Sequence, residues 1–142
     1  MLLVGSLTAI STGFKNSGAG DAVAELILRL LGNEPSTFLI TTVIFFAAAI
    51  LTQFMSNIPT ITLFLPIGCS IAEAIGVSPY PVAMVITLAG AASYATPFAA
   101  PQNMMTVGWT RYRFADFVKI GLPMLLITYL VVVVLIPVFL PY

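Results

Sequence analysis

The sequence predicts an all-α integral membrane domain in which one pair of helices forms a re-entrant hairpin and a further transmembrane helix is broken midway. Apolar residues fill 60% of the 142 positions and charged residues 7%, against roughly 25% charge in soluble domains. Mean hydropathy is +1.10. Most apolar runs fall short of the about 20 residues that a continuous bilayer crossing needs. Two polar, proline-marked interruptions separate them: Thr52-Gln53-Phe54-Met55-Ser56-Asn57-Ile58-Pro59-Thr60-Ile61-Thr62, and the stretch from Thr96 to Asn103. Non-helical backbone at membrane depth is tolerated where protein or a water-filled cavity surrounds it, so both interruptions are expected to line something.

The elements follow in order. Residues 2–14 suffice for half to two-thirds of a crossing at about 1.5 Å per residue. The run is apolar from Met1 with no basic segment before it, so residues 1–14 read as a truncated span rather than a signal peptide. A turn from Lys15 to Gly20 leads to a short helix over 21–32, in which Asp21, Glu25 and Arg29 recur every fourth residue. A narrow charged stripe on a greasy helix suits the membrane interface. Gly32-Asn33 ends it and Glu34-Pro35 opens the next element.

Residues 38–54 run to the Ser56-Asn57 tip and residues 60–74 return through Pro66. Both limbs are short for full crossings, so a re-entrant hairpin over 36–75 accounts for them better than two spans. After the Gly76-Val77-Ser78-Pro79 turn, Pro81 falls in the first turn of a helix over 82–94, where its missing donor is harmless. The small-residue run Gly90-Ala91-Ala92-Ser93 permits close packing. Pro97 and Pro101 then remove two donors and disfavour helix before each, and a half-helix resumes over 104–109. The broken helix as a whole occupies 80–110. A last span over 119–141 carries Pro123, Pro137 and Pro141.

The charges set the expected orientation and exclude several functions. Five basic and five acidic residues cancel, so there is no polybasic face for nucleic acid or anionic lipid. Arg111, Arg113 and Lys119 cluster in one connector with the single acid Asp116, whereas the tail after Phe139 has no charge. The positive-inside rule puts that connector in the cytoplasm and the C-terminus outside, as expected of a multi-pass protein of the plasma (inner) membrane. The lone Cys69 cannot form an internal disulfide. With no histidine, no carboxylate pair and no base near a serine, an enzyme is disfavoured and no cofactor is expected.

Two interrupted elements in one short chain are the pattern of a midplane site in a secondary transporter. A helix restarting after a break presents free N–H groups and the positive end of its dipole, which attract an anion. The helix before the break ends in carbonyls, which suit Na⁺. Neutral Ser, Thr and Asn side chains complete such a site without a fixed charge. Plainer readings stand beside this one. Thr52 or Thr62 alone would more often bond its own backbone, isolated prolines often mark kinks, and Glu73 fits the interface better than a proton relay. Trp109, Tyr112 and Tyr142 fit interface anchors. Asn57 is harder to set aside, because an amide with up to four hydrogen-bonding sites is costly to bury unpaired.

The ordered set Thr52-Gln53-Phe54-Met55-Ser56-Asn57, Pro66-Ile67, Thr96-Pro97, Pro101-Gln102-Asn103 and the run from Tyr112-Arg113-Phe114 to Gly121-Leu122-Pro123 resembles the C-terminal repeat of the divalent anion:sodium symporters. These are the dicarboxylate, citrate and sulfate carriers of the ion transporter superfamily. The likeness runs from about Gly5 to the end. It implies one half of an inverted-repeat transporter that needs its N-terminal repeat, works in the bilayer on a small anionic solute with Na⁺ as coupling ion, and is a homodimer when complete. By that resemblance Ser56 and Asn57 contact the substrate, with Thr60 standing in for a third hydroxyl and Pro101 and Asn103 on the broken-helix side. Thr52, Asn57 and the backbone near Met55 and Ala99 hold Na⁺. The tip departs from the family's Ser-Asn-Thr at Ile58, and Ala100 stands where a threonine often precedes the proline.

Two other readings compete. One is an arsenite or Na⁺/H⁺ exchanger of the same superfamily; a buried acid pair would favour proton exchange, and the spans here contain none. A non-transporting membrane subunit would tolerate apolar replacement of Ser56 and Asn57.

Overall fold

The computed structural model describes residues 13, 16–18, 22, 25, 36–109 and 112–140. The truncated span expected over 1–14 and the interfacial helix expected over 21–32 lie largely outside the described residues. Those described form helices and connectors, without strands. Among the described residues there are five continuous helices: α1 Thr37–Leu51, α2 Asn57–Ala74, α3 Pro79–Ala91, α4 Pro101–Trp109 and α5 Phe114–Phe139.

α1 has 15 residues and α3 has 13, so at 1.5 Å per residue they reach about 22 Å and about 20 Å, short of a hydrocarbon core of about 30 Å. α2 and α5, with 18 and 26 residues, are long and apolar enough to cross by length and composition. A tight turn over residues 52–55 ends α1, where the Thr52 N–H still reaches the Ala48 carbonyl and the Met55 N–H the Leu51 carbonyl. The chain then turns through extended Ser56 and restarts as α2 at Asn57. α2 ends at a left-handed Gly76 with φ 71°, where the Val77 N–H closes on the Ala72 carbonyl at 3.0 Å. That 6→1 bond satisfies a terminal carbonyl, and only glycine adopts the required φ without strain.

α3 is the centre of the assembly. It packs against both limbs of the α1–α2 pair and against α5. Its buried face of Val82, Val85, Ile86 and Ala89 meets Ile40, Ile44 and Phe45 of α1, Ile67 and Ile71 of α2, and Leu125 and Val132 of α5 in one apolar cluster. Two glycines bring α2 and α3 close. A Cβ on Gly68 would strike the side chains of Ile86 and Val82, and one on Gly90 would lie 2.5 Å from Ile61 Cγ1. Small residues of this kind let helix backbones approach where lipid supplies no hydrophobic drive. Phe45, Phe46 and Tyr129 stack where α1 meets α5, and the Tyr129 hydroxyl shares a 2.8 Å hydrogen bond with Thr42 Oγ1.

The outer face of α5 carries Leu122, Leu126, Leu130, Val134 and Val138 at four-residue spacing, each more than half exposed. Apolar area left in water costs roughly 25 cal/mol per Å², so a stripe of this length calls for lipid or more protein around it.

Helix boundaries shift from the sequence expectation: α1 ends at Leu51 rather than Phe54, α2 begins at Asn57 rather than Thr60, and α3 begins at Pro79 rather than Val82. Three further shifts have identifiable causes. The helix expected over 82–94 ends at Ala91, earlier than proline sterics require, because tertiary partners take over its last backbone groups. The half-helix expected from Met104 begins at Pro101, where a proline at the first helical position loses no bond. The last helix begins at Phe114 rather than near Lys119, because the Asp116 carboxylate reaches back to accept from the Arg113 N–H at 2.9 Å, and an acid in the first turn favours the helix dipole.

Candidate functional site

Residues 92–100 between α3 and α4 form a non-helical stretch containing Ser93, Thr96 and Pro97, and seven of its nine residues are buried. Buried backbone of this kind must find partners within the protein. The turn between α1 and α2 supplies them.

Gln53, one residue past the C-cap of α1, is the main donor and acceptor. Its Nε2 donates to the Ala49 carbonyl at 2.8 Å and to the Ala92 carbonyl at 2.9 Å. Its Oε1 accepts from the Ala95 N–H at 2.9 Å, and its own carbonyl accepts from Thr96 Oγ1 at 2.6 Å. Beside it, the fully buried Thr52 donates through Oγ1 to the Gly90 carbonyl at 2.7 Å. On the far side of the break, Asn103 Nδ2 donates to the carbonyls of Ser93 at 2.7 Å and Thr96 at 3.0 Å. Tip and break are thereby one polar locus enclosed by apolar helices. None of these side chains carries a formal charge, and among the described residues no buried side-chain polar atom lacks a partner.

The sequence-predicted residues fall as follows. Asn57 opens α2, half-buried, with its Oδ1 3.2 Å from Thr52 Oγ1. Ser56 is the exposed N-cap, and its side chain makes no capping bond. The first N–H groups of a helix have no intrahelical partner, and Pro59 supplies none, so the start of α2 is an open N-terminus. Thr60 is buried one turn along, its Oγ1 3.3 Å from the Ser56 carbonyl. Pro101 is exposed at the first position of α4, and Asn103 lies in the same turn, half-buried. Met55 is exposed in the tip turn, and Ala99 is buried in the break. Thr62 Oγ1 bonds back to the Ile58 carbonyl at 2.8 Å, the structural role that threonines in helices commonly take. Glu73 is exposed near the end of α2.

Gln53 is the residue that sequence reasoning passed over. The signal was available: an amide with four hydrogen-bonding sites at a proline-marked tip is as costly to leave unpaired as Asn57. Its partners, 39 to 43 residues away, could not be read from spacing.

The family model described as "Citrate transporter" matches residues 1–142. An uncharacterized transporter of Escherichia coli (strain K12) is 34% identical over 142 residues, covering 100% of this chain and 23% of that protein. The Na(+)/citrate cotransporter of Rattus norvegicus is 33% identical over 124 residues, 87% of this chain and 21% of that protein. Solute carrier family 13 member 4 of Homo sapiens is 30% identical over 134 residues, 94% of this chain and 21% of that protein. The chain thus spans less than a quarter of the length of these relatives. Their kinship and the apolar helices point to a membrane protein. The match over all 142 residues, together with the tip and tail motifs of the divalent anion:sodium symporters, establishes that the chain belongs to the citrate transporter family.

Proposed function

We propose that this chain forms one part of a sodium-coupled secondary transporter for a small anion, a dicarboxylate, citrate or sulfate, and contributes one hairpin tip and one broken helix to the solute and Na⁺ site. The observation that carries the reading is the hydrogen-bonded union of the Thr52 to Asn57 tip with the 92–100 break, beside the open N-terminus of α2.

Ser56 and the first amides of α2 face the anion, where the helix dipole favours negative charge. Asn57 and Thr60 support that face from the first turn of α2. Pro101 and Asn103 close it from α4, and the two Asn103 donations hold that helix start against the break. With the Thr52 proton committed to Gly90, the Oγ1 lone pairs remain for a cation. Asn57 Oδ1 lies 3.2 Å away as a second oxygen, and the carbonyls of Met55 and Ala99 complete the Na⁺ set. Hard cations take oxygen ligands of this kind. The pair α1–α2 acts as a re-entrant hairpin, complemented by an N-terminal inverted repeat, and the complete protein works as a homodimer.

Uptake by the full-length polypeptide in proteoliposomes tests this. An imposed inward Na⁺ gradient should drive accumulation of labelled citrate, succinate or sulfate, and an equal K⁺ gradient should not. Accumulation of none of the three under a Na⁺ gradient would refute the reading. In the plasma (inner) membrane the Arg113 connector faces the cytoplasm and the C-terminus lies outside. A cysteine at position 113, placed in a Cys69→Ala background, should therefore resist an impermeant thiol reagent in intact cells and react once the membrane is opened; labelling from outside would reverse the orientation.

A further inference from the structure

We infer that Gln53 is a positioning residue whose amide and carbonyl lock the hairpin tip to the break, so that the restarting helices α2 and α4 move as one unit. The orientation of the amide is forced by its neighbours. The Ala95 N–H can only donate and so faces Oε1, whereas the Ala49 and Ala92 carbonyls can only accept and so face Nε2. Three of the four hydrogen-bonding sites are thereby used on backbone, and the residue is 8% exposed.

The lock continues through a single residue on the other side. The Thr96 hydroxyl donates to the Gln53 carbonyl, and the Thr96 carbonyl accepts from Asn103 in the first turn of α4. Tip, break and α4 are therefore joined by consecutive bonds, with Thr52 to Gly90 as a second tie at the end of α3. An apolar side chain at position 53 leaves the Ala49 and Ala92 carbonyls and the Ala95 N–H without their present partner. Gln53 acts through these backbone groups rather than on the solute. Its effect on transport rests on the reading above, but its effect on the break does not.

Hydrogen–deuterium exchange of the full-length polypeptide tests the lock. Losing a buried hydrogen bond opens a segment locally, so Gln53→Leu should speed exchange over 92–100 by about tenfold or more. Exchange in the middle of α1 and α3 should stay at the parent rate, which also shows that the variant is folded. Gln53→Glu keeps an acceptor for Ala95 but sets a carboxylate against two carbonyl oxygens unless it is protonated. Corrected for the intrinsic pH dependence of exchange, its 92–100 segment should open as pH rises and close toward the parent on acidification, while the parent stays flat. Unchanged exchange over 92–100 in Gln53→Leu, loss of protection spread evenly over all helices, or a flat profile for Gln53→Glu would each overturn the proposal. The expected exchange pattern in a protein that accumulates no anion would refute the transport reading and leave the lock standing.

Discussion

Asn57→Ala in the full-length protein should abolish Na⁺-dependent anion uptake while leaving expression intact. Asn57 sits where the two halves of the proposed chemistry meet: its Oδ1 is 3.2 Å from Thr52 Oγ1, and its backbone opens α2 at the uncapped N-terminus. The substitution removes an oxygen from the Na⁺ set and an amide from the anion side. Hydrogen bonds to charged groups contribute about 1.5–3 kcal/mol each, so losing two such contacts lowers uptake at least about a hundredfold. The fold loses little, because Asn57 is only half-buried and its Oδ1 makes one long 3.2 Å approach to Thr52 Oγ1, whose proton goes to the Gly90 carbonyl. Initial rates of labelled citrate uptake, normalised to protein recovered in the membrane, are the measurement. Uptake at the parent rate would remove Asn57 from the site and favour a non-transporting subunit.

Gly121→Ala should destabilise the protein more than alanine at another helical glycine. α5 passes against the break at this residue, and an added Cβ would lie 2.5 Å from the Tyr94 carbonyl oxygen and 2.6 Å from the Ala95 nitrogen. Those atoms are backbone and cannot rotate aside. Ala95 is also held by Gln53, so relief would have to come from moving α5 or breaking the lock. Overpacking of this kind costs about 1–3 kcal/mol, and Gly121→Leu should prevent recovery of folded protein. At Gly90 the close neighbour is the Ile61 side chain, which can change rotamer, so Gly90→Ala should cost less. At Gly108 nothing lies within 4 Å, and alanine there should be neutral or slightly stabilising, since it is the better helix former. Thermal unfolding of detergent-solubilised protein, followed by size-exclusion chromatography, ranks the three. A Gly121→Ala midpoint equal to that of Gly108→Ala would show that α5 does not brace the break.

How far the sequence could be read follows from the range of the forces involved. The tip was legible as a polar, proline-marked interruption, although the helix restarts at Asn57 rather than at Thr60, and the Gly76 turn was legible because a left-handed residue ends a helix within a few positions. The break was legible in kind, since Pro97 and Pro101 exclude regular helix nearby. Its beginning at Ala92 was not, because that depends on a side chain from another helix satisfying the backbone it releases. The start of α5 was obscured because Arg113 is an unusual residue ahead of a capping acid. Within the site, hydroxyls and amides in an apolar chain marked Thr52, Ser56, Asn57 and Asn103 as candidates. Which of them face the proposed solutes and which hold backbone is a matter of tertiary contacts. Asn103 illustrates this: its Nδ2 is committed to two carbonyls of the break, a role that its place in a Pro-Gln-Asn motif does not disclose.

The most direct test of the central claim, that open helix ends at the tip and break hold an anion together with sodium, is equilibrium binding of labelled citrate, succinate or sulfate to the purified full-length protein in Na⁺ and in K⁺. The account predicts saturable binding of at least one of these anions that requires Na⁺ and disappears in Asn57→Ala. Binding of equal strength in K⁺, or undiminished binding by Asn57→Ala, would contradict it.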